Sequence, residues 1–198
     1  MLAAQGLWDE TFTLCTQQGF TALLGSASLW LGFALVEQGN GNDGIAKMHN
    51  ALYSMTDALT FGNKLRGLSL LALAQGKVGQ ANQGLAKIDE ALALAKKTKK
   101  SVYESGLYLV KGQLLLMKDP RARRKAQQCF STAIGIARDQ RAKSDELAAV
   151  IHLARLLASK SRRDEARAKL AEIYDWFTEG FDTADLKDAK ALLDELSA

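Results

Sequence analysis

One glycine-rich segment has the spacing of a phosphate-binding loop. Residues 39–44 read Gly-Asn-Gly-Asn-Asp-Gly and satisfy the G-x-G-x-x-G pattern that holds the pyrophosphate of a dinucleotide. Such a loop needs a preceding strand, so that the turn directs the phosphates at a helix N-terminus. Residues 29–38 have the composition of a helix instead. The segment is therefore interpreted as a turn between two helices, and no cofactor is predicted.

The histidines and cysteines lack the spacing of a metal site or of a catalytic pair. His49 and His152 are the only histidines, and neither has a carboxylate or a cysteine at the spacing of H-E-x-x-H. Cys15 and Cys129 form no C-x-x-C unit, which indicates small buried apolar residues. We expect both histidines on the surface or in a groove. The sequence predicts no metal site and no catalytic residue.

Adjacent acidic residues occur at 89–90, 145–146 and 164–165. These pairs fall at early positions or on outer faces of predicted helices, where the helix dipole and solvation account for them. General acid–base chemistry would need two such groups to converge on one substrate, which no spacing indicates. The sequence therefore predicts a protein that is not an enzyme.

The composition is that of packed helices. The chain has 198 residues, 47% of them hydrophobic, and a single proline, Pro120. Ala, Leu, Lys, Gln, Glu and Arg dominate almost every stretch of it, and these residues favour helices. This length can bury a substantial core.

Basic residues exceed acidic ones by 26 to 22, and the excess is densest at 96–100 and 121–125. Such clusters attract acidic partners or nucleic acid, but no aromatic platform is interleaved with them, which favours solvated helix ends. No signal peptide and no apolar run long enough for a bilayer is found. A cytoplasmic protein without membrane contact is expected.

An internal repeat of about 40 residues organises the chain. Gly32, Ala72, Gly112 and Ala154 align, each inside an apolar segment. A second set repeats at the same step, with a small residue, a large apolar one four later and a small or apolar one three after that. Its members are Gly44, Met48 and Ala51; Gly84, Ile88 and Ala91; Ala126, Phe130 and Ala133; and Ala166, Leu170 and Ile173. Each repeat is therefore predicted to be two helices that approach closely at the small residues.

The repeat predicts an all-α superhelix of about four helix pairs, forming a single domain over 1–198. The repeats span about 21–60, 62–99, 102–141 and 144–178, with a cap helix at 183–197. Helices are predicted at 2–18, 21–38, 42–59, 64–76, 79–98, 102–118, 121–140, 144–160, 162–177 and 184–197.

The two ends of the chain differ. The last helix has Thr183 as N-cap, one apolar stripe and one charged face, as the terminal helix of a stack requires, and Trp176 is expected to pin it in place. The first helix, 2–18, has apolar residues but no preceding partner helix. We expect that this chain is a fragment of a longer protein or that its uncapped first helix makes a contact, including one with a second copy.

Residues 126–133, with Ala126, Phe130 and Ala133 in an A-x-x-x-F-x-x-A pattern, resemble the tetratricopeptide (TPR) repeat family. The segment 174–187, which contains the string W-F-T-E-G-F-D-T-A-D-L, resembles the C-terminal TPR region of bacterial adenylate-cyclase-like and transcriptional-regulator ATPases of the STAND type. This resemblance implies a regulatory or sensor tail in a signalling protein. The cyclase carboxylates and the nucleotide-binding loop of those proteins have no counterpart here.

In the TPR geometry, the first helix of each pair lines a concave wall, which binds a protein or peptide ligand. Three interpretations stay open: a regulatory interaction module, a stand-alone scaffold or homo-oligomer, and a nucleic-acid binder through basic helix ends or an unrecognised enzyme. The predicted wall residues are Phe33, Glu37, Arg66, Ser69, Lys77, Leu109, Gln113, Ile151 and Arg155.

Overall fold

A computed structural model describes residues 2–54, 61–98, 101–159 and 161–197 of the chain. The described residues form ten α-helices and one short 3-10 helix at Ser101–Tyr103, and they contain no strand. The predicted all-α class is confirmed. The helices are α1 (Leu2–Gln18), α2 (Thr21–Glu37), α3 (Gly41–Ser54), α4 (Phe61–Lys77), α5 (Ala81–Thr98), α6 (Glu104–Lys118), α7 (Arg123–Asp139), α8 (Lys143–Ala158), α9 (Arg163–Tyr174) and α10 (Ala184–Ser197).

The other predicted boundaries are close to those observed, and the cap helix at 184–197 coincides with α10, whereas the predicted helix ends at 59 and 160 lie outside the described residues. The glycine-rich segment 39–44 covers the end of the turn between α2 and α3 and the first four residues of α3, and Gly39 in the turn has a φ of 91° that favours glycine. Helix α7 begins two residues later than predicted. Its start is delayed because Asp119 closes a turn by accepting a hydrogen bond from the N–H of Arg121 at 2.9 Å.

The chain divides into two compact units, which we call unit one (Met1–Tyr103) and unit two (Glu104–Ala198). In unit one, α2 packs on α3 and α4 on α5, while α4 also contacts the first pair. In unit two, α6 packs on α7 and α8 on α9, and α10 lies against α8 and α9. Consecutive helices thus form the predicted pairs within each unit, whereas a single domain over 1–198 stays a prediction.

The two sets of repeat positions form the cores of the units. All four aligned small residues of the first helices are buried, and so is every member of the second set. Phe130 is fully buried and is the largest such side chain in the described residues. The periodicity therefore marked the surfaces along which the two helices of each pair meet.

Glycine is required where paired helices approach most closely. A Cβ atom on Gly32 would lie 2.7 Å from the carbonyl oxygen of Gly44 on the facing helix. A Cβ atom on Gly112 would lie 2.7 Å from Cδ1 and 3.0 Å from Cζ of the Phe130 ring. Neither position has room for a methyl group, because the obstructing atoms are backbone in one case and a buried ring in the other.

Gly112→Ala is expected to lower the free energy of unfolding by about 1–3 kcal/mol, because the added methyl must displace the Phe130 ring. Gly135→Ala on α7 is the matched control, since nothing lies within 4 Å of its added Cβ. That control should raise stability by about 0.5–1 kcal/mol through the higher helix propensity of alanine. Urea unfolding followed by circular dichroism measures both changes, and equal effects of the two substitutions would contradict the close packing described for Gly112.

A buried carboxylate joins α7 to α8. The side chain of Glu146 is 3% exposed and lies 2.5 Å from Nε of Arg138 and 2.8 Å from Nζ of Lys143. Burial raises the pKa of the Glu146 carboxyl, but hydrogen bonds from Lys143 and Arg138 outweigh that effect and hold the pKa below its ordinary value. The sequence interpretation placed this acid at an early helix position or on an outer face, and Glu146 lies in the first turn of α8 with its side chain buried.

The cap helix α10 lies on α8 and α9 through Leu186, Ala189, Leu192 and Leu196, which are all buried. Trp176 does not pin it from inside the core, as the sequence suggested, because its side chain is 58% exposed. Polar contacts hold the C-terminal end of α10: Arg163 donates to the carbonyl of Glu195, and Arg167 donates to Oγ of Ser197. The cap is therefore attached by an apolar stripe along its length and by two arginines at its C-terminus.

Candidate partner-binding surface

In unit two, a cavity of about 330 Å³ lies where α6 and α8 meet the beginning of α7. Its polar lining comes from Gln113 on α6, Arg123 at the start of α7, and His152, Arg155 and Ser159 along α8. The helices α6 and α8 are the first helices of two successive pairs. Residues from the predicted wall, Gln113 and Arg155, are thus brought to the rim of one cavity.

The lining of the cavity contains a polar pair that is packed on an aromatic ring. Nε2 of Gln113 lies 2.6 Å from Nε2 of His152, and the imidazole stacks on Phe130 with ring centroids 5.7 Å apart. Burial lowers the pKa of His152 to about 4, and the nearby Arg155 adds to this, while Asp188 opposes it. The imidazole is therefore neutral at physiological pH and can accept the amide proton of Gln113.

The other half of the Gln113 amide has no partner among the described residues. Its Oε1 is buried and accepts no hydrogen bond from the described residues. A buried carbonyl without a donor costs about 1–3 kcal/mol. A buried and unsatisfied acceptor beside a cavity is a site where a ligand group that donates a hydrogen bond would gain free energy.

Two arginines lie at the rim, and both already have acceptors. Arg155 Nη2 lies 2.5 Å from Oδ1 of Asp188 on α10. Arg123 donates to the backbone carbonyls of Pro120 and Ser159, each at 3.3 Å. Arg155 and Asp188 are both nearly half exposed, so water screens their attraction, and such pairs contribute little to stability.

In unit one, three of the predicted wall residues form one cluster. Nζ of Lys77 lies 2.7 Å from Oε1 of Glu37 and 5.9 Å from the ring centroid of Phe33. Arg66 lines a separate, smaller cavity of about 110 Å³ together with Trp30. This unit therefore presents aromatic and charged groups side by side on α2 and α4.

The remaining predicted wall residues are less accessible to a partner. Ser69 and Leu109 are half-buried, and Leu109 packs against the core of unit two. Ile151 is 3% exposed and belongs to that core, so it offers no surface to a partner. Its neighbour His152 lines the cavity instead. We therefore leave Ile151 out of the proposed surface and include His152.

The sequence analysis expected His152 on the surface or in a groove and did not assign it to the wall, although its spacing indicates that position. Together with Arg155 and Ser159, His152 has the spacing of one face of a helix, at i, i+3 and i+7. Ile151 lies one position earlier, about 100° away around the helix, and apolar residues occupy that side. Choosing the polar residue of the two would have located the face that lines the cavity.

The described residues contain neither a metal-ligand cluster nor a helix that could cross a membrane. No three side chains among His, Cys, Asp and Glu converge as ligands of a metal ion in the part of the chain that the structure describes. Likewise, none of the described helices has the length and apolar character that crossing a bilayer requires.

Comparison with known proteins gives a likeness of fold. No family model matches the chain, and no curated protein matches its sequence. Among solved structures, BtubC (BKLC) from P. vanneervenii has a TM-score of 0.66 at 15% identity, with 98% of this chain and 87% of that chain covered. A protein from Podosopora anserina described as a kinesin light chain with nearly identical TPR-like repeats has a TM-score of 0.64 at 14% identity, covering 89% and 86%. Its Q17M form gives 0.64 at 15% identity, covering 89% and 85%. The chain therefore has a TPR-like helical-repeat fold.

Proposed function

We propose that this chain is a non-catalytic protein-interaction module, which binds a peptide or helix of its partner along the first helices of its pairs. One observation carries the proposal: α6 and α8 bring Gln113, His152 and Arg155 to the rim of a single cavity. Repeat folds use such faces to bind extended or helical segments.

Charge supports a partner segment that contains acidic as well as apolar side chains. Residues 118–125 contain five basic residues and one acidic residue, so this short segment accounts for the whole formal charge of +4. It includes Pro120 and Arg123, which line the cavity. Complementary charge of this kind speeds association and selects among partners.

The test is a peptide-display selection on the whole chain, followed by calorimetric affinities for the selected peptides. Arg123→Glu combined with Arg155→Glu, which changes two exposed arginines of the unit-two cavity, is expected to lower these affinities at least tenfold. The matched control is Lys169→Glu with Lys187→Glu, which changes the net charge equally at two other exposed positions. Unaltered affinity in the first variant, or an equal loss in both, would argue against this surface.

We also propose the cellular context that the resemblance implies: the regulatory tail of a larger, cytoplasmic bacterial signalling ATPase or cyclase-like regulator. Its support is the segment 174–187 and the match of its string to the C-terminal TPR regions of those proteins. Sequencing the coding region upstream tests it. A nucleotide-binding domain in the same reading frame is the expected result, and a stop codon directly upstream would contradict it.

A stand-alone scaffold that pairs with a second copy is the alternative, and one observation favours it. Four large apolar residues in and after α1 are more than half exposed: Leu7, Leu14, Phe20 and Leu23. Several large apolar side chains exposed in one part of a chain are a feature of many contact surfaces. Light scattering of the chain and of Leu7→Asp with Leu14→Asp tests this, because a dimer should dissociate in the variant. A monomeric mass in the parent chain would exclude this alternative.

A further inference from the structure

We propose that the basic segment 118–125 of unit two binds a phosphate monoester, carried by a phosphorylated side chain of the bound partner segment. This inference rests on the proposed function and names the chemical group that the partner presents beside the cavity. Three features support it: positive charge that is not neutralised, an arginine whose guanidinium is oriented by uncharged acceptors, and the position of that arginine at the cavity.

The segment concentrates positive charge that no described acid neutralises. Its five basic side chains are all exposed, and none forms an ion pair with a residue that the structure describes. Five basic residues against one acid, Asp119, leave a net charge of +4 over these eight residues. Three of the basic residues, at 123–125, form the first turn of α7, where the helix dipole disfavours cations. A bound anion would relieve both the mutual repulsion and the unfavourable interaction with the dipole. The five residues are Lys118, Arg121, Arg123, Arg124 and Lys125.

The guanidinium of Arg123 is oriented by backbone groups of two different turns. Its Nε donates to the carbonyl of Pro120 and its Nη1 to the carbonyl of Ser159, each at 3.3 Å. Both acceptors are uncharged, so they orient the guanidinium without neutralising it. A guanidinium has five N–H donors, and the two used here leave three for a ligand. Such an arginine suits an oxyanion, since two of its donors can bind two oxygens at once.

Arg123 also lines the cavity of about 330 Å³, and the described lining contains no acidic residue. Leu116 and Pro120 contribute apolar groups to the same lining, while the other arginine, Arg155, is already paired with Asp188. A side chain of the partner can therefore extend along the cavity and place its charged end at Arg123.

The amount of free charge favours a phosphate monoester over other oxyanions. A carboxylate has one negative charge and two oxygens, whereas a phosphate monoester has a charge of about −1.5 to −2 at neutral pH and three acceptor oxygens. A nucleic acid presents singly charged phosphodiesters along an extended strand, and proteins bind its single strands on aromatic side chains, which segment 118–125 lacks. The cations lie within eight residues, which suits one compact dianion.

Three aromatic probes that differ in their anionic group test the proposal with the whole chain. Phenyl phosphate is the expected ligand, phenyl sulfate has the same shape with one negative charge, and benzoate supplies a carboxylate. The NMR titrations are made at constant ionic strength and about pH 7.5, where the monoester is mostly doubly charged. Phenyl phosphate should shift the Nε–H signal of Arg123 and the backbone amide signals of residues 123–125.

We expect phenyl phosphate to bind at least tenfold more tightly than phenyl sulfate or benzoate. Equal binding of phenyl sulfate would show that the second charge is not recognised, and it would overturn the proposal. Tighter binding of benzoate, or no binding of phenyl phosphate, would do the same.

A pair of variants assigns the binding to Arg123. Arg123→Gln removes the charge and the fork of donors, and it should weaken phenyl phosphate binding at least tenfold. Arg66→Gln makes the same change at an exposed position of α4 in unit one, and it should bind as the parent does. Equal binding by both variants would place the phosphate elsewhere and contradict the assignment. The order of the three probes in the parent chain decides the matter even if Arg123→Gln does not fold.

Phosphorylated peptides connect the site to the partner. The peptides selected by display are synthesised with phosphoserine at each serine position in turn, and at least one form should bind tenfold more tightly than its unmodified parent peptide. That gain should be lost in Arg123→Gln. Displacement of the phosphorylated peptide by a single-stranded oligonucleotide at an equal concentration of charge would indicate a nucleic-acid site and overturn the proposal.

The outcomes separate this inference from the proposed function. Phenyl phosphate binding by a chain that selects no peptide would contradict the interaction module while supporting the phosphate site. Selected peptides whose phosphorylated forms bind no more tightly than the unmodified ones would support the module and contradict the phosphate site.

Discussion

Phe130→Ala is expected to lower the free energy of unfolding of unit two by about 3–5 kcal/mol, the range for removing a fully buried aromatic side chain. Phe130 is 0% exposed, lies against the backbone of Gly112 and stacks on His152. Its loss leaves a cavity where α6, α7 and α8 meet. Urea unfolding, together with amide exchange of these three helices, measures the effect in the unit that contains it.

Two comparisons make this prediction specific. Phe181→Ala removes the same ring from a position that is 47% exposed and should cost clearly less. In the Phe130→Ala background, Gly112→Ala should be far less damaging than in the parent, because the ring that obstructs the added methyl is gone. A coupling of at least about 1 kcal/mol is expected for residues in such contact. Strict additivity of the two changes would show that Gly112 and Phe130 do not share space.

The stability of unit two should depend on pH through His152. The pKa of this imidazole is about 4 in the folded chain against an ordinary value of 6.5. Between pH 6.5 and pH 4, His152 is protonated in the unfolded state but stays neutral in the folded state. The free energy of unfolding therefore falls as the pH decreases towards 4. The difference of about 2.5 units corresponds to about 3 kcal/mol. The full contribution of His152 to the free energy of unfolding is present above pH 6.5.

His152→Gln removes this dependence. The gap in unfolding free energy between parent and variant should therefore shift by about 3 kcal/mol in favour of the variant between pH 7 and pH 4. Taking the difference cancels the other groups that titrate in this range, including Glu146. Asn50→Gln, at an exposed and non-titrating position of α3, is the control and should follow the parent profile. If the unfolding free energy of His152→Gln depends on pH as that of the parent does, the conclusion that His152 is buried and neutral in the folded state is wrong.

The fold was predictable because its constraint is local and periodic. A small residue must recur wherever two paired helices touch, and that requirement produced the alignment of Gly32, Ala72, Gly112 and Ala154. All four are buried. The ends of α10 were predictable for a similar reason, since its N-cap and apolar stripe lie within one short segment.

The site was less predictable because it depends on how α8 is rotated about its axis. A change of one residue moves a side chain by about 100° around the helix, which exchanges Ile151 for His152 at the cavity. Contacts between distant residues were also out of reach. Arg155 is joined to Asp188 and Arg123 to the carbonyl of Ser159, and no spacing in the sequence encodes either contact.

Trp176 is another side chain whose burial the sequence did not determine. Its position before the cap suggested a buried anchor, yet the ring packs edge-on against Phe177 and beneath Nζ of Lys143, 5.7 Å from its centroid, while remaining mostly exposed. A large aromatic residue near a helix end can be either buried or exposed. Only the path of the chain between α9 and α10 decides which.

The close fit of Gly112 against Phe130 restricts the order in which this pair can change during evolution. A methyl group at 112 is obstructed while the ring is present, so the replacement of Gly112 must come second. A smaller side chain at 130 opens a space that a later alanine at 112 can fill. The fourth repeat, with Ala154 and Leu170 at the corresponding positions, has the state that such a path would reach. Sequence drift between repeats should therefore be directional at these two sites, with the change at 130 permissive for the change at 112.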